Sequence, residues 1–338
     1  MTQQAEASTE NADGGHGGSA RAIVAALLAN LGIAIAKFVA FLVTGASSML
    51  AEAIHSVADS GNQVLLLICG RTSKRRPTAQ HPFGFGRDRF VYGFLVAVVL
   101  FSVGGVFAVY EGVHKILAPE ELTSPVWAFG VLGVAIVLES FSLRTAVRET
   151  NAVRPAGESY WAFIRNARAP ELPVVLLEDT AALTGLVLAM LGVGLTTATG
   201  DGVYDGLGTV AIGVLLIAVA SVLAVETKSL LLGEAATEAV QRDIRTALEG
   251  GEHVESVIHL RTQHLAPEEL LVAAKIAVRH DDTAEAVARA IDEAEARIRA
   301  AVPIATVIYL EPDIRRAGQP SAGERSSSSA PGSSTSEG

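Results

Sequence analysis

The chain has one cysteine, Cys69, in 338 residues. No internal disulfide can form, and nothing points to an oxidising compartment. Charge is scarce as well, at 18% of residues against about a quarter in an ordinary soluble domain. Basic residues are outnumbered, 26 to 36, for a formal charge of −10. Between Gly233 and Arg315 sixteen acidic residues stand against nine basic ones. An extended basic face is thereby excluded, and nucleic acid with it. Residues 1–20 lack the positive n-region and apolar h-region of a signal peptide, and 316–338 are Ser/Gly/Pro-rich and poor in apolar side chains. Both stretches are expected to be disordered tails.

What the chain has in excess is apolar sequence, 50% of residues with a mean hydropathy of +0.39. It is gathered into blocks, which is the membrane pattern. A helix needs roughly 20 apolar residues to cross the hydrocarbon core. Six segments qualify, near 21–44, 47–70, 89–117, 125–147, 173–198 and 207–232. The tight link Thr44 to Ser48 makes the first two an antiparallel hairpin. Basic residues sort to one side. Arg71, Lys74, Arg75, Arg76, Arg87 and Arg89 flank the second loop, and Arg148, Arg154, Arg165 and Arg168 the fourth. Loops 44–48, 118–124 and 199–206 carry no Lys or Arg. Both termini are therefore expected in the cytosol, and the Ala/Gly/Val-rich style points to a bacterial inner membrane.

After residue 232 the pattern becomes that of a small soluble domain, 233–315. Residues 234–249 read as an amphipathic helix, 254–263 and 269–279 as strands, 283–301 as a helix, and 304–311 as a third strand stopped by Pro312. The predicted fold class is thus a membrane all-α six-helix bundle, 21–232, followed by a cytosolic α+β domain. Its αββαβ order is ferredoxin-like. So small a domain gains from pairing with a second copy.

Ionisable residues within spans are functional candidates by default. His55 and Asp59 stand four apart, on one helical face, and an imidazole with a carboxylate can supply two ligands of a tetrahedral zinc site. The same spacing equally suits a hydrogen bond that merely neutralises both. Glu178 and Asp179 are adjacent, about 100° apart around their helix, so only one can point straight at the second span; the alternative is a pair simply solvated near the cytosolic membrane edge. Asn30 suits helix packing, and Glu139 suits a proton relay, a ligand or an interface. Glu111 and His114 read best as interfacial. His81, in HPFGFGRDR, could meet metal on its way in, although a lone loop histidine is more often structural.

With these residues placed, the chain resembles the cation diffusion facilitator family of metal/proton antiporters. TGASSMLAEAIHSVADSGNQ, HPFGFGRDRFVYGFLVA and YEGVHKI carry the resemblance, which covers about residues 21–313. Within the family it is most similar to the branch of the mitochondrial-type ninth zinc transporter, through VVLLEDTAAL, YDGLGT and ETKSLLLG. The resemblance implies that His55, Asp59 and Asp179 bind the transported metal. The family's fourth position, usually His or Asp, falls at Val175, which cannot ligate. Glu178, Asn30, Glu139 or a water would have to replace it. Cytosolic metal positions of the family correspond to Ile258, Ala274 and Tyr309, leaving Glu311 as the one plausible ligand there. His253, His259, His264 and His280 are scattered without ligand spacing. A dimerisation domain with a weak metal site or none follows.

The implied activity is efflux of a divalent cation by proton antiport through alternating access. Zinc is the expected substrate, preferred over manganese because of the imidazole, since manganese favours all-oxygen sites; Mn²⁺, Co²⁺, Fe²⁺ and Cd²⁺ remain open. The expected partners are metal ions, protons, lipid and a second copy of the chain, with no permanently bound cofactor and no enzymatic activity. Two rival readings are a transport-inactive metal sensor or scaffold, motivated by Val175, and an intramembrane hydrolase using His55 and Asp59, which lacks an HExxH motif.

Overall fold

The computed structural model describes residues 14–73, 75–119 and 122–314. Residues 1–13 and 315–338, most of the expected tails, lie outside the described residues. The chain divides into two compact units. One runs up to Arg76 and resumes over Asp88–Lys228; the other joins Pro77–Arg87 to the chain from Ser229 onward.

The first unit is helical: α1 (Gly14–Thr44), α2 (Ser47–Thr72), α3 (Asp88–Val99), α4 (Phe107–Leu117), α5 (Pro125–Val153), the short α6 (Tyr160–Asn166), α7 (Glu171–Thr199) and α8 (Val203–Leu232). A π-helical segment, Leu100–Val106, joins α3 to α4 without a break. Four helical stretches, Asp88–Leu117, Pro125–Val153, Glu171–Thr199 and Val203–Leu232, are long and apolar enough to cross a membrane. Among the described residues α1 contributes a shorter apolar helix, Asn30–Thr44. Helix α2 is 26 residues long, but Glu52, His55, Asp59 and Asn62 interrupt its apolar character.

Large apolar side chains face outward along α5, where Val126, Trp127, Val134, Val137 and Phe141 are all exposed. Inward, Met49, Leu100, Leu132, Leu186, Ile212 and Leu216 form the core. Glycines set how closely α4 and α8 approach. A Cβ on Gly213 would lie 2.6 Å from the Val109 backbone nitrogen, and one on Gly112 2.6 Å from that of Val210. Small residues let helix backbones meet where lipid offers no hydrophobic drive.

The hairpin link turns at Gly45, whose φ of +67° favours glycine. Helix α2 then starts at Ala46, which has no side chain able to cap it. Asp205, fully buried at the head of α8, does so instead. Its Oδ2 accepts from the Ser47 backbone N–H at 2.7 Å and from Ser47 Oγ at 3.0 Å, and Oδ1 accepts from Ser48 Oγ. A carboxylate at a helix N-terminus satisfies orphan donors and complements the helix dipole.

The second unit holds α9 (Glu238–Glu249), β1 (Val254–Ala266), β2 (Glu269–Val278), α10 (Ala284–Ala301) and β3 (Val307–Asp313), the αββαβ order. Thr237 and Thr283 cap the two helices by accepting from Val240 N and Ala286 N. The sheet order is β1-β2-β3, with β1–β2 antiparallel and β2–β3 parallel. Ile244, Leu248, Leu270, Val272, Ile276, Ala294 and Ile298 fill the space between helices and sheet. Strand β3 continues through Pro312, paired opposite Ile276, whereas the sequence suggested a stop there. An edge strand tolerates a residue without an N–H.

Residues 77–87, read from sequence as a basic loop, pack in this unit against the β1–β2 turn. Thr78 and His81 exchange backbone hydrogen bonds of 3.1 Å, and Gly84 turns with φ +77°. Gly86 sits so close to Ala266 that a Cβ there would lie 2.5 Å from the alanine methyl.

Candidate metal centre

Helix α2 presents Glu52, His55, Ser56, Asp59 and Asn62 at intervals of three and four, hence on one face. His55 is 1% exposed, and neither ring nitrogen has a hydrogen-bond partner. Its Nε2 lies 3.6 Å from Asp59 Oδ2, too far for a hydrogen bond. Asp59 Oδ1 is buried and unpartnered as well. The mutually neutralising His–Asp hydrogen bond is therefore not formed. Leaving buried polar atoms unpaired costs about 1–3 kcal/mol each. Such a group of donors suits capture of a cation.

On α7 the two adjacent carboxylates diverge. Glu178 is buried and accepts from Asn62 Nδ2 of α2 at 2.5 Å. Asp179 is half-buried and accepts from Ser142 Oγ of α5 at 2.9 Å. Glu178, Ala181, Ala182 and Gly185 recur at three- and four-residue intervals and are all buried, and Gly185 faces Glu52. This small-residue stripe is the face that meets α2. Val175, one turn before Asp179, packs into an apolar cluster with Leu143, Val147 and Ala146 of α5. The position of the family's fourth ligand is thus occupied by packing, on the side turned toward α5.

The remaining candidates are dispersed. Glu139 on α5 and Asn30 on α1 are half-buried. His81 is exposed, its ring 4.7 Å from that of Phe85. In the second unit Glu311 is held by Lys275 at 3.0 Å, and Asp313 by the same ammonium at 2.9 Å. These two carboxylates raise the Lys275 pKa above its ordinary value. His253 pairs with Asp282 at 3.1 Å. Among the described residues no three His, Cys, Asp or Glu side chains stand close enough together to hold one ion. The structure thus brings His55 beside Asp59 and places Glu178 across from them through Asn62; it turns Asp179 to Ser142.

Sequence reasoning passed over Lys37, Glu52, Asn62 and Asp205. Lys37 is fully buried on α1, with Nζ 2.9 Å from Glu52 Oε2 and 2.8 Å from Ser56 Oγ. A lysine and a glutamate inside apolar runs were the available signal.

A helical unit with outward-facing apolar side chains, four of its helical stretches long enough to span a bilayer, and an αββαβ domain together define a multi-pass membrane protein with a small α+β domain. The chain matches the cation efflux transmembrane domain over residues 23–232 and the cation efflux cytoplasmic domain over 236–313. It belongs to the cation efflux family. The mitochondrial proton-coupled zinc antiporter of Homo sapiens is 38% identical over 208 residues, covering 61% of this chain and 37% of that protein. Metal tolerance protein C4 of Arabidopsis thaliana is 28% identical over 250 residues, 74% of this chain and 55% of its own length. The chain thus spans little more than a third of the human protein. Among solved structures, a MamM CTD variant covers 23% of this chain and 94% of its own, at 26% identity and a TM-score of 0.22.

Proposed function

We propose that this chain exports a divalent metal ion, zinc in preference to manganese, in exchange for protons by alternating access across six membrane spans, without enzymatic activity. The observation that carries the reading is the buried His55 imidazole, unpartnered at both nitrogens and 3.6 Å from Asp59. Its setting in a cation efflux transmembrane domain supports transport over catalysis. The human relative's being a proton-coupled zinc antiporter supports the choice of ion and of counter-ion.

In this mechanism the ion enters from the cytosol and is taken between α2 and α7 by His55, Asp59 and Glu178. Asp179 joins when the α5–α7 contact opens and Ser142 releases it. The imidazole supplies the borderline-soft ligand that zinc accepts and manganese disfavours. Protons arriving from the far side compete for the same atoms, since ligands must be deprotonated to bind metal. Proton entry thereby drives metal exit. In this reading six spans put both termini in the cytosol, an orientation supported by the basic residues of the second and fourth loops, and 236–313 joins two copies of the chain.

The test is pH-gradient-driven metal uptake by the full chain in proteoliposomes. Zinc uptake that collapses in Asp59→Ala and Glu178→Ala supports the reading. A folded wild type that moves no metal under any gradient would favour the second reading, a transport-inactive sensor or scaffold. Val175 in its apolar cluster is the observation on that side.

A further inference from the structure

The α2–α7 seam holds a carboxylate that the proposed centre does not use. Glu52 is fully buried, three residues before His55 and seven before Asp59, so all three share one face of α2. Its Oε2 accepts from Lys37 Nζ at 2.9 Å. Its Oε1 has no hydrogen-bond partner and points at α7: a Cβ on Gly185 would lie 2.6 Å from it. Glu52 therefore reaches the surface that Glu178 occupies two turns along α7. Among the described residues the Lys37 ammonium, itself fully buried and also bonded to Ser56 Oγ at 2.8 Å, ties it to α1.

From this geometry we infer that Lys37 is a specificity-determining residue: a tethered cation that engages Glu52 and keeps this carboxylate out of the shell of the transported ion. The inference rests on the proposed function and deepens it. With Glu52 held, an ion between α2 and α7 meets an imidazole and few carboxylates, a donor set suited to zinc. With Glu52 released, the same ion gains an oxygen ligand from the next turn of α2. The set then shifts toward the oxygen-rich coordination that manganese prefers. A bare Glu52 also adds one negative charge to a buried site, which an ammonium of fixed position cancels. Lys37 acts on selectivity through Glu52 without touching the metal, so it is a positioning residue.

The experiment compares zinc and manganese uptake, with separate KM and maximal rate, in proteoliposomes of wild type, Lys37→Met, Lys37→Arg and the double variant Lys37→Met/Glu52→Gln. Equilibrium binding of each metal alone to the detergent-solubilised full chain gives a second readout. The Zn²⁺:Mn²⁺ preference of Lys37→Met should fall about tenfold, the worth of one further charge-assisted contact. Lys37→Arg should keep the wild-type preference, and the double variant should restore it. Should Lys37→Met fail to fold, Lys37→Gln, whose shorter, uncharged amide does not hold Glu52 as the ammonium does, must shift the preference the same way. An unchanged ratio in folded Lys37→Met or Lys37→Gln overturns the inference. So does an equal shift in the double variant, because the effect would then not pass through Glu52. A wild type that moves zinc while these variants show no shift sinks this inference alone; a wild type that moves no zinc sinks the transport reading and this one together.

Discussion

Two helix seams in the membrane unit are built on opposite terms. Where α4 meets α8, Gly112, Gly206 and Gly213 bring backbone against backbone. Where α2 meets α7, Ala181, Ala182 and Gly185 make similar room, and it is filled by Glu52, His55, Asp59, Asn62 and Glu178. The first seam is all packing. The second gives up stability to keep polar atoms unpaired in a buried place. A region that sacrifices stability in this way is where function is expected.

The largest effect should come from filling the dry seam. Gly213→Val would drive a side chain into the Val109 backbone 2.6 Å away; the expected outcome is loss of folded protein from detergent extracts, read by size-exclusion chromatography. The polar seam should respond in the opposite sense. His55→Leu removes two unpartnered buried nitrogens, so the thermal midpoint should rise, by the equivalent of about 1–2 kcal/mol, while metal flux falls at least about a hundredfold. A variant that loses flux and stability together would erase the distinction between the seams.

Smaller again is the cap that anchors α2. Asp205→Ala strips the acceptor from Ser47 N–H and should cost about 1–2 kcal/mol, seen as a lower thermal midpoint; because α2 carries the proposed centre, transport should weaken as well. The smallest effect belongs to the second unit. Lys275 has a raised pKa from Asp313 and Glu311, so its contribution to stability is fully present below the pKa of an unfolded lysine. It is lost only as pH rises through the higher folded value. Because Glu311 is exposed and water screens the pair, that contribution is small: Lys275→Met should lower the midpoint only slightly at neutral pH, where the loss is largest, and the difference should vanish in strongly alkaline buffer. A large neutral-pH loss would mean that this strand pair matters more than its exposure suggests.

Much of this was legible in the residues. Apolar run length places the helices, and alternation along Val272–Val278 places β2. His55 and Asp59 follow from their spacing. What sequence could not resolve was rotation about a helix axis. Glu178 and Asp179 are neighbours in the chain, and only the packing of Ala181, Ala182 and Gly185 turns one to α2 and the other to Ser142 of α5. Contacts between distant segments escaped for a related reason. Asp205 caps a helix 158 residues away, and Lys37 meets Glu52 across a hairpin whose arms' facing sides the sequence alone does not reveal. Pro312 misled because a proline halts a central strand, while β3 lies at the sheet edge.

The account stands on His55 meeting the ion. X-ray absorption on the zinc-loaded full chain at neutral pH tests this most directly. It should show one imidazole nitrogen among oxygen ligands, a signal that fades as pH falls and protons displace the metal, and that His55→Ala abolishes. An all-oxygen shell in the wild type, or an imidazole signal unchanged in His55→Ala, would contradict it.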